Sequence, residues 1–253
     1  ATSYILQEFA KIGDLQVDLI TSSCDSDFHL EKIGKNVEIH KLPIGKNKKN
    51  LHFQSQKDLL IYSWKAYQYS QKLIKQNNYD LTHAFFTVPC GFLSLRLKRK
   101  YKIPYIVSLR GSDVPGYSER FSLIYTILKP LIKKIWKNAG AVVSNSEGLR
   151  LLALQSKQNQ EIGIIHNGID TEKFKPADNI KNDKFIVTMG GTRVTARKGI
   201  AYLLSAIHKL AEKYPQLSAT IIGEGDEKEK LEKISKELKI ENRINFAGRV
   251  ENK

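Results

Sequence analysis

Between residues 56 and 76, the apolar side chains Leu59, Leu60, Tyr62, Trp64, Tyr67, Leu73 and Ile74, with no glycine or proline among them, predict one long helix. Around it lie short runs rich in β-branched and aromatic residues, at 16–21, 36–42, 79–85, 104–109, 140–145 and 162–166. Each predicts a strand. Helical periodicity fills 2–11, 89–100, 118–136 and 146–156, with Pro130 as an expected kink and Ser146 as an N-cap. A polar loop is expected between the first two strands and a basic loop at 46–49. Strands that alternate with helices predict a mainly parallel sheet covered on both faces. Right-handed crossovers then place the strand-end loops on one edge, namely Thr82-His83, Arg110 to Asp113, Asn145-Ser146 and Asn167 to Asp170.

The rhythm stops at 171–184, a polar segment with one proline that reads as a linker. It separates a first domain, 1–170, from a second, 185–253. The second opens with the apolar run Phe185-Ile186-Val187-Thr188-Met189, an expected break at Gly190-Gly191, and a loop carrying Arg193, Arg197 and Lys198. Helical periodicity resumes after Gly199, and further strands are expected at 218–222 and 243–246 around a charged helix, 227–238. Only three strands are present, about half the usual complement of a nucleotide-binding domain. Strand, glycine turn, cationic loop and helix start together suit a diphosphate. Helix-start amides attract anions, glycines permit close approach, and Arg adds forked donors. The same residues equally suit a solvated basic turn. Neither a Walker loop nor GxGxxG is present.

Charge sharpens this picture. The net +15 comes from 41 basic and 26 acidic residues, and +10 of it lies in residues 1–170. Such a balance favours nucleic acid, an anionic membrane face or phosphorylated substrates. The apolar fraction of 41% supports a real core rather than disorder. Cys24 and Cys90 form no CxxC pair, and the six histidines show no ligand spacing in sequence. A reducing cytoplasm and no structural metal are expected. No apolar run is long enough to cross a bilayer, and no signal peptide is evident at Ala1.

Several motifs, in order, now carry a resemblance. They are Leu109-Arg-Gly-Ser-Asp113, Ala141-Val-Val-Ser-Asn-Ser-Glu147, Ile165-His-Asn-Gly-Ile-Asp170 with Phe174-Lys-Pro176, the loop from Gly191 to Gly199, Ala219 to Gly225, and Phe246-Ala-Gly-Arg-Val250. Together they resemble the retaining glycosyltransferases of family four. Arg110 stands where many members carry His. The family's Glu-x7-Glu motif and its glycine-rich first strand are absent from these 253 residues, and the chain reads as a piece of a longer protein.

The resemblance implies the GT-B fold, with two Rossmann-like domains of doubly wound parallel sheet facing a cleft and the second incomplete. It further implies transfer of a sugar from a nucleotide-diphosphate sugar, with retention and no required metal. Gly190, Gly191, Arg193 and Lys198 would hold the donor diphosphate, and Gly223, Glu224, Gly225 and Val250 the nucleotide. Arg110 and Asp113 would serve on the acceptor side. Arg110 is a poor base, because Arg keeps its proton in proteins. Asn167, Gly168 and Asp170 would shape the interdomain hinge, while His83 is a lone strand-end histidine that more often serves structure. The lysines Lys129, Lys133, Lys134 and Lys137, interleaved with Leu128, Leu131, Ile132, Ile135 and Trp136, suggest peripheral contact with anionic lipid at the inner face of the membrane. The acceptor would then be a lipid-linked sugar, a glycolipid or a polysaccharide precursor, in cell-envelope biosynthesis. Two other readings stand beside this one. One is a basic α/β nucleic-acid-binding protein, for which no recognition module is visible. The other is a donor-binding fragment without activity of its own.

Overall fold

The computed structural model describes residues 2–45, 55–117, 122–176 and 185–250. The expected basic loop at 46–49 and most of the linker, 177–184, lie outside these residues, as do 118–121 of the fourth expected helix. The chain divides into two compact units, Ala1–Ile169 and Asp170–Lys253.

The first unit opens with α1 (Thr2–Phe9) and a small sheet of β1 (Val17–Ser22), β2 (His29–Ile33) and β3 (Val37–Leu42) in the order β1-β3-β2. β1 and β3 run parallel, with Asp18 opposite Glu38 and Ile20 opposite His40. β2 runs antiparallel to β3 and corrects the polar loop expected there. Its central residues Leu30, Glu31 and Lys32 are exposed, so no apolar alternation marked it. On one face of this sheet Leu6 packs against Val37 and Ile39, and elsewhere Leu42 meets Ala66 and Leu93.

α2 spans Gln56–Gln76, the range expected from its periodicity. Ser55 closes a capping box, accepting from the Asp58 amide while the Asp58 carboxylate accepts from Ser55. Next come β4 (Thr82–Phe85), an irregular turn at Thr87–Gly91, α3 (Phe92–Tyr101), β5 (Tyr105–Ser108), α4 (Ser122–Asn138), β6 (Ala141–Ser144), α5 (Glu147–Ser156) and β7 (Gly163–Ile164). The helix expected from residue 89 therefore begins at Phe92. α4 runs through Pro130. The four strands pair in parallel in sequence order, so the loops after β5, β6 and β7 share one edge. His83 sits near the start of β4 rather than at its end, opposite Ile106.

The main core lies under this sheet, where Tyr105, Val107 and Val142 pack against Leu95, Ile132, Ile135 and Trp136. α4 spends its apolar face there. Ile132, Ile135 and Trp136 are buried, Leu128 and Leu131 partly so, and Lys129, Lys133, Lys134 and Lys137 stay outside. The apolar residues expected to meet lipid thus turn to the core instead.

The second unit is a three-stranded parallel sheet ordered β10-β9-β8, from β8 (Phe185–Arg193), β9 (Leu217–Glu224) and β10 (Ile244–Gly248). α6 (Ile200–Leu210) and α7 (Lys228–Glu237) pack on it through Leu204, Ile207 and Leu231, against Ala219 and Ile221. Arg243 donates to the carbonyls of Ala211, Pro215 and Leu217, tying the segment after α6 to the foot of β10. Among the described residues, no helix is long and apolar enough to cross a membrane.

Candidate functional site

Two groups of the expected residues occupy strand ends, one in each unit. In the second unit β8 does not break at Gly190-Gly191. It carries on to Arg193, with its register against β9 shifting between Gly190 and Arg193. The expected glycine turn is therefore a bulge, for which glycine is well suited. Beyond the bulge Arg193 pairs with Glu224, the last residue of β9.

A single turn at Ala196–Lys198 follows, and Gly199 caps α6 with φ of 69°, a left-handed conformation that costs glycine nothing. Arg193 and Lys198 are exposed, and among the described residues neither forms an ion pair or a side-chain hydrogen bond. They flank the start of an eleven-residue helix that has no side-chain cap. Exposed cations beside uncapped amides make a positive end suited to a phosphate.

Of the residues expected at the nucleotide, Gly223 is buried with φ of 126°, while Glu224 and Gly225 are exposed. Gly225 has a packing role of its own, since a Cβ there would come within 2.1 Å of the Val194 carbonyl oxygen. Val250 follows β10 and is exposed.

In the first unit Arg110 and Asp113 share a loop, but their side chains part. Asp113 is only 6% exposed. Its Oδ1 accepts from the amides of Arg110 (2.9 Å) and Gly111 (3.0 Å), and its Oδ2 from the Thr87 amide (2.8 Å) and Thr87 Oγ1 (3.1 Å). Trp136 Nε1 donates to the same Thr87 hydroxyl at 2.9 Å. The carboxylate thus points into the unit, and its geometry is that of a positioning residue rather than of a group that meets the acceptor.

Arg110 turns the other way. Its NH1 donates to Asn167 Oδ1 at 2.9 Å, and the guanidinium lies 4.7 Å from the Phe85 ring centre. Its Nε is shut from solvent without a partner. Desolvation lowers the guanidinium below its usual value, and the Asp113 charge opposes this. Asn167, expected at the hinge, therefore fixes Arg110. Asp170 forms a local turn, its carboxylate accepting from the amides of Glu172 and Lys173. His83 Nε2 lies 2.7 Å from Ser108 Oγ, and its ring stacks on Phe85 at 4.6 Å. Desolvation first, and then the Arg110 charge, lower its pKa.

Thr87 and Phe85 escaped the sequence reading, and no motif or spacing marks them; Trp136, expected toward lipid, instead donates to Thr87. A cluster of Asp18, Glu38 and His40 escaped it too, with ligand-type atoms within 4.8 Å of one another. His40 bridges Asp18 Oδ1 (2.7 Å) and the Tyr69 hydroxyl (2.9 Å), and Tyr79 donates to the other Asp18 oxygen. This network satisfies a buried histidine from within the chain.

With this geometry in place, comparison with known proteins is decisive for the family. Residues 3–173 match the profile described as Glycosyltransferase Family 4, more than half of the chain. The chain belongs to glycosyltransferase family 4. Residues 170–253 match Glycosyl transferases group 1. An uncharacterized glycosyltransferase of Methanocaldococcus jannaschii is 24% identical over 229 residues, covering 83% of this chain and 56% of that protein. The alpha-monoglucosyldiacylglycerol synthase of Acholeplasma laidlawii is 26% identical over 195 residues, covering 68% of this chain and 48% of that protein. The chain thus spans about half the length of these relatives. Among solved structures, sucrose-phosphate synthase from Thermosynechococcus elongatus aligns over 99% of this family 4 chain and 64% of its own, with a TM-score of 0.75 at 18% identity. That likeness establishes the GT-B fold.

Proposed function

We propose that the protein moves a sugar from a nucleotide-diphosphate sugar to an acceptor, with retention at the anomeric carbon and without a metal. The observation that carries this reading is the end of β8, where Arg193 and Lys198 flank the uncapped start of α6. As the bond from the anomeric carbon to the diphosphate breaks, negative charge grows on the leaving oxygens. Fixed cations and amides aimed at that charge lower the barrier most when they are already in place. Arg193 supplies forked donors, Lys198 a point charge, and the Gly190-Gly191 bulge lets backbone approach the diphosphate. Gly223, Glu224 and Gly225 form the turn beneath the nucleotide, and the backbone at Val250 lies alongside the base.

On the acceptor side Arg110 contacts and orients the incoming group, held by Asn167 and Phe85, while Asp113 fixes the loop that presents it. The acceptor is a lipid-linked sugar, glycolipid or polysaccharide precursor, and the protein works at the inner face of the cell membrane. Lys133 and Lys137 both depress Lys157, after desolvation has done so, which marks a convergence of like charges suited to anionic headgroups. Contact there is electrostatic, because α4 buries its apolar side.

Calorimetric titration with UDP, GDP and ADP, each with a metal chelator present, tests the donor site. One diphosphate should bind well above its monophosphate, and Arg193→Ala should abolish the difference. Failure of all three to bind the full-length gene product would sink the reading.

A further inference from the structure

The small sheet of the first unit carries a polar cluster of its own, apart from the strand-end loops. Asp18 on β1 stands opposite Glu38 on β3 in the parallel register, and His40 lies two residues beyond Glu38. Side chains two apart on a strand share a face, so strand pairing brings the three together. Their ligand-type atoms lie within 4.8 Å of one another. Asp18 and His40 are 22 positions apart in sequence, a spacing that no short metal motif covers.

The histidine is held in place. Its Nδ1 lies 2.9 Å from the Tyr69 hydroxyl, and the two rings are 5.2 Å apart, which fixes the imidazole plane. Nε2 is thereby turned to Asp18 Oδ1 at 2.7 Å and to Glu38 Oε2 at 3.9 Å. Tyr79 donates to the other Asp18 oxygen at 2.5 Å and leaves Oδ1 to the cluster. Outer partners of this kind orient the ligands of metal sites. The His40 side chain is 4% exposed and that of Glu38 36%, so the cluster opens to solvent along Glu38.

Charge within the cluster does not balance. Carboxylates only accept, and two of them meet one imidazole nitrogen. A proton on Nε2 serves Asp18 and leaves Glu38 too far for a bond. Lys32 pairs with the other oxygen of Glu38 at 2.6 Å, while among the described residues Asp18 has no ion-pair partner besides His40. A cation seated between the three atoms serves all of them at once. Tetrahedral zinc ligands, at about 2.0–2.1 Å from the ion, stand roughly 3.3 Å from each other. The separations of 2.7 and 3.9 Å at Nε2 bracket that value, and a small swing of the Glu38 side chain completes the set.

We propose that Asp18, Glu38 and His40 bind a divalent zinc ion, with water in the fourth position. One imidazole with two carboxylates suits this ion better than Mg²⁺, which demands near-octahedral oxygens and keeps its waters. The ion joins β1 to β3, and through Tyr69 it ties α2 to the same point. Its role is to staple the small sheet. No residue of the cluster belongs to the donor or acceptor groups described above, so the metal-free transfer proposed there stands or falls separately.

Titration of the 253-residue chain with ZnCl₂, followed by calorimetry and by the NMR signals of the His40 ring, tests it. Zinc should bind, shift those ring signals and raise the melting temperature, whereas MgCl₂ should do none of these. Glu38→Gln should weaken zinc binding by about tenfold or more. It keeps the fold because Glu38 lies at the sheet surface, and it remains informative if His40→Ala fails to fold. Zinc held elsewhere, for instance at the exposed Cys24, would leave the His40 ring unmoved and Glu38→Gln as tight as the parent. Either of those results, or no zinc binding at all, overturns the proposal.

Discussion

A Cβ on Gly225 would sit 2.1 Å from the carbonyl oxygen of Val194 and 2.8 Å from its amide nitrogen. The two backbones cross at the end of the second sheet. There the Val194 amide donates to the Glu224 carbonyl at 2.9 Å, and the Glu227 amide to that of Val194. No rotamer relieves such a clash, because every atom involved is main chain. Gly225→Ala should therefore destabilise the second unit by roughly 3 kcal/mol or more. Urea unfolding would read this as an earlier midpoint, and an unchanged midpoint would contradict the crossing.

Asp113→Asn tests the positioning role. It replaces one acceptor oxygen with a donor that faces N–H groups inside a buried site. A loss of roughly 3 kcal/mol is expected, since orphaned buried donors cost about 1–3 kcal/mol each. Arg110→Gln, which removes one hydrogen bond and one ring contact, should cost about 1 kcal/mol. Thermal melts of the pair should differ accordingly. Equal melts would contradict the positioning role of Asp113.

How much of this was legible depends on how local the signal was. α2 was read to its observed ends because its apolar residues run along one long local segment, Gln56–Gln76. β2 was missed because its three central residues are all exposed, so no apolar alternation marked it. Gly190-Gly191 looked like a turn, yet both lie within β8, where Gly190 still pairs with Ile222 of β9. Tertiary pairing overrode local preference there. The motif around Arg110 was visible, but its partner Asn167 lies 57 residues away and Thr87 lies 26 from Asp113. No spacing rule reaches that far. The face of α4 that meets the core was likewise undecidable from amphipathicity, which gives a stripe and not its neighbour.

His83 reports on Arg110. Desolvation and then the Arg110 charge hold its pKa below the ordinary 6.5. Arg110→Gln should thus raise the pKa, observable as a shifted imidazole titration by NMR. The sign for stability follows. Between the lowered folded value and 6.5 the unfolded chain binds more protons, so His83 removes stability as pH falls through that window. An unmoved titration in the variant would separate the two residues.

The two cysteines should differ sharply toward thiol reagents. Cys24 is exposed. Cys90 is pushed up to about 11, by desolvation first, against a Tyr62 hydrogen bond, with the Asp113 charge adding to the rise. At pH 8 about one Cys90 in a thousand is then thiolate. A disulfide reagent should titrate one group quickly and the second only on unfolding. Two fast equivalents would mean that the Cys90 environment opens in solution.

The donor assignment yields the sharpest kinetic prediction. Arg193 and Lys198 are exposed and contribute little to packing, so replacing either should leave the melting temperature nearly unchanged. If they meet the charge of a leaving diphosphate, each loss removes a preorganised donor, which typically costs about 10²-fold or more in rate. Arg193→Ala and Lys198→Ala in the complete protein should therefore fold normally yet transfer sugar at about one hundredth of the wild-type rate or below. Arg193→Lys keeps the charge but loses the fork, and should recover only part of the rate if two-point contact with phosphate matters. Near-normal turnover in both alanine variants would leave the positive end of β8 a solvated turn, and the diphosphate would have to be met elsewhere in the protein.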